Sequence, residues 1–212
     1  QKINLGKAAS AVSKGAQALA FSNEDAKKLS KESVEWMDKH NPVTDSKSPY
    51  TKRLNRLFGK HKSEDGLNLN YKVYHVIDIN AFACADGSVR VFSSLMDLMT
   101  DDELLAIIGH EIGHVKNEDT KDAIKSAYMR AAAQDAAGAA SGAVRALSDT
   151  ELGEMANAML EAKHSKKQES QADEYAYNFM KKHGYNVVAV YTAFKKMALL
   201  SGGDTQSKFQ KM

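Results

Sequence analysis

The stretch Thr100-Asp-Asp-Glu-Leu-Leu-Ala-Ile-Ile-Gly-His-Glu-Ile-Gly-His-Val-Lys-Asn-Glu-Asp119 decides how the rest of this 212-residue chain is read. Thr100 or Asp101 is placed to cap a helix, and Asp102 and Glu103 put negative charge in its first turn, where the helix dipole favours it. Leu104, Leu105, Ile107, Ile108, Ile112 and Val115 spread apolar side chains over more of the cylinder than a solvent-facing helix presents, so the element belongs in the core. Inside it His110, Glu111, Ile112, Gly113 and His114 spell H-E-x-x-H. Residues four apart lie about 40° apart around a helix and one turn along it, so both imidazoles leave by one side and a single metal ion can join them.

From average residue usage this motif occurs by chance in such a chain on the order of 1% of the time or less, and here the flanking residues already read as a helix. Two histidines do not complete a catalytic zinc site, which takes three protein ligands and leaves the fourth position to water. One class of zinc peptidase carries its third ligand just downstream, as H-E-x-x-H-x-x-G-x-x-H; Asn117 and Thr120 stand at those positions, so that class is excluded. The other class draws a glutamate from a later helix, and the candidates are Glu151, Glu154, Glu161, Glu169 and Glu174. Glu169 stands out because Asp173 follows one turn later on the same face. An aspartate there can accept the second ring N–H of a ligating histidine and fix its tautomer.

Working outward, Ser22 and Asp25 form a capping-box pattern ahead of a helix that ends near His40, and Pro42 lies in the loop that follows. Tyr50, Leu54, Leu57 and Phe58 mark a second helix closed by Gly59, with the helical register failing after Lys62. From Leu67 to His75 apolar and polar residues alternate, the period of a strand. Short strands are expected at Ile79–Ala83 and Ser88–Phe92, joined by the Asp86-Gly87 turn. Beyond Asp119 the pattern is helical, through an Ala- and Gly-rich stretch from Ala131 to Ala146, then helices from Asp149 to His164, Lys167 to His183 and Val187 to Leu200, with Gly184 as a stop. The expected fold is therefore α+β: a mainly helical, zincin-like domain over residues 22–200, with a small three-stranded sheet whose edge strand flanks the metal helix. Residues 1–21 read as a weakly structured arm or helix, and residues 201–212 as a polar tail.

Composition narrows the classes of function. Formal charge is +2, from 29 basic and 27 acidic side chains, so no global field points to nucleic acid or an anionic membrane. The single cysteine, Cys84, excludes an internal disulfide and a cysteine-built zinc site. No run of about 18 apolar residues is present to span a bilayer. The chain begins at Gln1 instead of Met, which suggests an upstream segment removed by processing or design, such as a signal peptide.

His110-Glu111-Ile112-Gly113-His114 with Glu169-Ser170-Gln171-Ala172-Asp173 downstream resembles the gluzincin peptidases grouped with the CaaX prenyl protease and HtpX, especially their soluble bacterial, LoiP-like branch. Asn80-Ala81-Phe82-Ala83 is similar to that family's Asn-Ala-Phe strand, Ser94-Leu95-Met96 sits where its small-residue turn lies, and His183-Gly184-Tyr185 resembles its closing Gly-Tyr. The resemblance covers about residues 22 to 200. It implies a zinc-dependent metalloendopeptidase, agrees with Glu169 as third ligand to one zinc ion, and places the protein in the bacterial periplasm or attached to the outer membrane, with a peripheral or lipid anchor. Three departures stand out. The family often has histidine at Asp119 and arginine or glutamine at Lys166, and its members carry a His-Pro segment and an arginine after the last helix. No His, Pro or Arg occurs from Ser201 to Met212, so a continuation past Met212 is expected to supply them.

The mechanism expected is hydrolysis by zinc-activated water, with Glu111 as general base. Tyr175, Tyr177 and His183 are the candidates here for a second donor to the oxyanion. The substrate, an unfolded or misfolded protein or a peptide, is expected to add as a strand along Asn80, Ala81, Phe82 and Ala83; the plain alternative is a core strand with Phe82 buried. Cys84, His75 and His164 read as structural or surface residues rather than ligands. A different class of function, a zinc-stabilised holdase or assembly factor using the Ala131–Ala146 stretch as a contact surface, is set against the peptidase by Glu111, since a purely structural site has no use for a base.

Overall fold

A computed structural model describes residues 21–134, 144 and 146–200. The expected arm before Phe21, most of the Ala131–Ala146 stretch and the tail from Ser201 lie outside the described residues. The described chain is α+β and mainly helical: α1 (Asn23–His40), α2 (Pro49–Phe58), β1 (Ser63–Glu64), β2 (Leu67–Asn68), β3 (Asn70–Tyr74), β4 (Ala81–Ala83), β5 (Ser88–Phe92), α3 (Ser93–Leu98), α4 (Asp101–Lys116), α5 (Asp119–Gln134), α6 (Asp149–Leu160), α7 (Lys166–Lys182) and α8 (Val188–Leu200).

The central helix α4 begins as its sequence dictates. The Thr100 hydroxyl accepts from the Glu103 amide while the Glu103 carboxylate accepts from the Thr100 amide, a complete capping box. Arg53 and Arg56 of α2 both reach Asp101 in the first turn, each at 2.8 Å. Every residue from Glu103 to Val115 is buried. The apolar side chains of α4 pack with Val89 and Val91 of β5, Phe179 and Met180 of α7, and Phe194 and Met197 of α8.

The three-stranded sheet has the order β3-β5-β4. β3 runs parallel to β5, and β4 returns antiparallel through the Asp86-Gly87 turn, where Gly87 takes φ +87° and its amide donates to the Cys84 carbonyl. β4 is thus an edge strand, and it packs against α4. Ala81 and Ala83 join the core on the α4 side, whereas Phe82 and Cys84 turn to the other face with Tyr74, Phe92 and Val34. That opposite face is held to α1 by Arg90. Its buried guanidinium grips Asp38 at 2.8 and 3.0 Å, and Lys72 and Tyr74 reach the same carboxylate.

Three expectations are corrected. The alternation from Leu67 to His75 is not one strand: Leu67–Asn68 pairs with Ser63–Glu64 in a separate hairpin, and the chain changes partners at Leu69 before β3 begins. That hairpin turns through Asp65 (φ +47°) and Gly66 (φ +85°), a two-residue turn of the Asp-Gly kind. Ile79 and Asn80 precede β4 and are not part of it. α6 stops at Leu160, four residues short of His164, which leaves Glu161–Ser165 as a connection into α7. Two expected stops hold: Gly59 closes α2, in right-handed backbone (φ −59°), and Gly184, after α7, takes a left-handed φ of +71°.

Candidate active site

α7 brings Glu169 and Asp173 to the motif because both helices are bare where they touch. Gly109 and Gly113 on α4 face Ala172 and Ala176 on α7. A Cβ placed on Gly113 would lie 2.9 Å from Tyr175 Cβ and 3.1 Å from Ala172 Cα. The Ser165–Gln168 capping box fixes where α7 starts, one residue ahead of Lys166 and four ahead of Glu169.

His110 and His114 are completely buried, and Glu111 and Glu169 nearly so. His110 Nδ1 lies 2.8 Å from Asp173 Oδ1, and His114 Nδ1 lies 2.9 Å from Asp119 Oδ2. The two Nε2 atoms face each other at 3.0 Å, with Glu169 oxygens 3.4 Å from one and 3.8 Å from the other. A carboxylate only accepts, so each Nδ1 carries a ring proton, and it is the Nε2 of each ring that is placed to meet a metal ion. The two Nε2 atoms at 3.0 Å, beside a buried Glu169 Oε2 that has no hydrogen-bond partner, form a donor set that could hold a cation. Two imidazoles and a carboxylate fit zinc. Burial lowers the His110 pKa, but without an ion Asp173, Glu169 and the charge of Glu111 outweigh burial and push it up to about 9, so a cation would bind there in place of a proton.

Asp119 was singled out in the sequence only as a departure from a family histidine, yet it supplies His114 with the outer partner that Asp173 supplies to His110. Burial raises its pKa. It reaches back because Glu118 takes φ +61°, a left-handed turn between α4 and α5. His164, read in the sequence as a structural or surface histidine, stacks on His114 with ring centroids 3.9 Å apart and planes at 18°. No sequence signal pointed to it.

Glu111 leaves α4 towards β4. Phe82, Ala83, Cys84, Thr120 and His164 line a narrow cavity with it. A larger polar cavity of about 820 Å³ opens beyond His164, lined among others by Asp119, Glu154 and Gln168. Two of the three expected oxyanion donors are engaged elsewhere: Tyr175 donates to Asp65 at 2.6 Å and His183 sits against Glu64 and His61. Tyr177 is 44% exposed.

The sequence profile of peptidase family M48 matches residues 52–209, well over half of the chain, and the chain belongs to that family. Metalloprotease YcaL of Escherichia coli K12 is 39% identical over 194 residues, which span 91% of this chain and 76% of that protein. Metalloprotease LoiP of the same organism is 37% identical over 194 residues, 91% of this chain and 77% of that protein. Protease HtpX of Actinobacillus pleuropneumoniae serotype 5b is 43% identical over 51 residues, 22% of this chain and 18% of its own length. Among the described residues no helix is long and apolar enough to cross a membrane.

Proposed function

We propose that residues 22–200 act as one catalytic domain in which His110, His114 and Glu169 hold a single zinc ion and Glu111 is the general base. The protein is a metalloprotease, a hydrolase of peptide bonds. The observation that carries the site assignment is the convergence of the two Nε2 atoms, 3.0 Å apart and each on a ring held from behind by an aspartate, with the Glu169 carboxylate. When bound, zinc supplies Lewis acidity toward the scissile carbonyl and lowers the pKa of a water toward neutrality. Glu111 takes the proton of that attacking water and passes it to the leaving amine. Asp173 and Asp119 keep both rings in the tautomer that leaves Nε2 free to ligate.

His164 is the group we assign to the developing oxyanion. It lies against His114 and shares the narrow cavity with Glu111, so its ring edge borders the space in which the carbonyl must sit.

Substrate adds along β4. Asn80, Cys84 and, by register, Phe82 direct their backbone groups to β5. The amide and carbonyl of Ala81 and Ala83 therefore point to the open edge. The Asn80 side-chain oxygen accepts from the Ala81 amide at 2.9 Å, a place that a substrate carbonyl would take on binding. Unfolded or misfolded chains fit this mode, since only an extended segment can lie along an edge. The setting proposed is periplasmic or outer-membrane-attached, with a peripheral or lipid anchor; the resemblance to the LoiP-like branch is what supports it.

Glu111→Gln tests the reading against a zinc-stabilised holdase. The variant should keep its zinc and lose cleavage of an unfolded protein substrate by about 10²-fold or more. Equal cleavage by wild type and variant would remove Glu111 as base.

A further inference from the structure

A second set of metal-binding side chains lies outside the catalytic centre. His61 follows α2, Glu64 is on β1, and His183 caps the C-terminus of α7. His183 is 14 residues along the chain from Glu169, so the two sites are separated by about 20 Å of helix. We infer that His61, Glu64 and His183 bind a second divalent cation of the zinc class, which ties the β1–β2 hairpin to the end of α7.

Three observations carry this. The first is convergence: His61 Nδ1 lies 2.6 Å and His183 Nε2 2.9 Å from the same oxygen, Glu64 Oε1, and one donor atom from each residue falls within 4.8 Å of the others. His61 and Glu64 are almost fully buried, while His183 is 22% exposed and leaves a route for an ion.

The second is that protons alone serve the cluster poorly. His61 Nδ1 hydrogen-bonds to Glu64, but His183 Nε2 meets the same oxygen off the direction a hydrogen bond needs and is buried without a partner. One cation in the middle would serve both nitrogens and the oxygen at once.

The third is the outer support. Tyr185 Oη lies 2.6 Å from His61 Nε2, and Tyr71 Oη donates to the His61 carbonyl at 2.6 Å, so the ring is fixed with Nδ1 facing inward. Phe179 packs its ring against both imidazoles, with centroids 5.0 Å from His61 and 4.8 Å from His183. Lys182 does not occupy the same place. Its half-exposed ammonium reaches the other carboxylate oxygen, Glu64 Oε2, at 3.4 Å and is shared with Asp65. With three protein ligands and one partly open side, the site keeps a position for water.

The test is metal stoichiometry on the full chain after removal of loosely held ions. Wild type should retain two zinc ions per chain, and His110→Ala/His114→Ala should retain one. His183→Ala should retain one and cleave unfolded substrate at the wild-type rate. Adding His183→Ala to the double variant should bring zinc to zero. Cobalt substitution gives an independent readout: the double variant should show the visible absorption of a low-coordinate N,O site, abolished by His183→Ala and weakened about 10- to 100-fold in cobalt affinity by Tyr185→Phe. If the double variant binds no zinc or cobalt, or if wild type and His183→Ala hold the same number of ions, the second site is refuted. Failure of the catalytic reading looks different, because wild type would then lose no metal through His110→Ala/His114→Ala.

Discussion

Gly113→Ala tests how closely α7 must approach α4 for Glu169 to reach the imidazoles. The added Cβ would stand 2.9 Å from Tyr175 Cβ, 3.1 Å from Ala172 Cα and 3.2 Å from the Ala172 carbonyl oxygen. Carbon atoms are comfortable at about 3.5–4.0 Å, so α7 must retreat by roughly 0.6 Å. No rotamer change relieves the clash, because all three atoms are fixed to the α7 backbone. Overpacking costs about 1–3 kcal/mol, and replacing a mid-helix glycine by alanine returns about 1 kcal/mol. The net loss is then about 0–2 kcal/mol, or a melting point lower by up to about 8 °C for a chain of this size. The larger effect falls on the metal. Glu169 and Asp173 move with Ala172, and metal–ligand distances tolerate about 0.2 Å, so zinc affinity should fall about 10- to 100-fold, with turnover at limiting zinc falling alongside. Competition with a chelator of known affinity measures the first effect and calorimetry the melting point. Gly109→Ala is the internal control. Its Cβ would meet Phe179 Cδ1 at 3.1 Å, and a ring can turn away, so it should lose much less zinc affinity. Wild-type zinc binding by Gly113→Ala would refute the close-approach reasoning.

His164→Phe keeps a ring on His114 but removes the donor; turnover should drop about 10²- to 10³-fold with zinc content unchanged, and an undiminished rate would exclude His164 from the oxyanion. Ala81→Pro removes an edge-facing amide while leaving the β4–β5 ladder its own donors, so substrate KM should rise about 10-fold without loss of zinc; an unchanged KM with an intact melting curve would count against strand addition. Asp38 connects pH to stability. Burial raises its pKa, but the bonds from Arg90, Lys72 and Tyr74 outweigh this and hold it at about 2, below the ordinary aspartate value of 3.8. A depressed carboxylate stabilises the fold above its unfolded pKa and loses that contribution as pH falls through the folded one. Wild type should therefore shed roughly 2 kcal/mol between pH 4 and pH 2 through this group. In urea titrations the gap between wild type and Asp38→Asn should narrow over that window, and a constant gap would contradict the assignment.

What the sequence exposed and what it hid follow from how local each signal is. α4 was legible because its cap, its first-turn charge and its apolar surface all lie within twenty consecutive residues, and the Asp86-Gly87 turn was legible because a positive φ favours glycine. Asp65-Gly66 carries the same turn signal, yet the alternation running on from Leu67 disguised the change of strand partner at Leu69. The end of α6 at Leu160 was hidden because Glu161, Ala162 and Lys163 contain no helix breaker. Asp173 could be found because it stands one turn from Glu169 on a single helix. Asp119 could not, since its approach to His114 depends on a left-handed Glu118 between two helices, a conformation no residue type there announces. His164 reaches the site only through the packing of a connection, and such contacts leave no periodic trace.

The order of residues within the motif has a geometric reason. Consecutive residues on a helix diverge by about 100°, so Gly109, His110 and Glu111 face three different neighbours. Gly109 and, one turn on, Gly113 face α7 and let it come close. His110 and His114, the next face round, receive Glu169 and Asp173 from that same helix because it has come close. Glu111, a further step round, faces the cavity that β4 borders, where an extended substrate would lie. Ile112 completes the circle and is buried in the core. The small residue before each histidine is therefore part of the proposed metal site in effect, although it donates no ligand. A bulky residue at either glycine would separate the helix that carries His110 and His114 from the helix that carries Glu169, and it would do so without touching a single proposed donor atom.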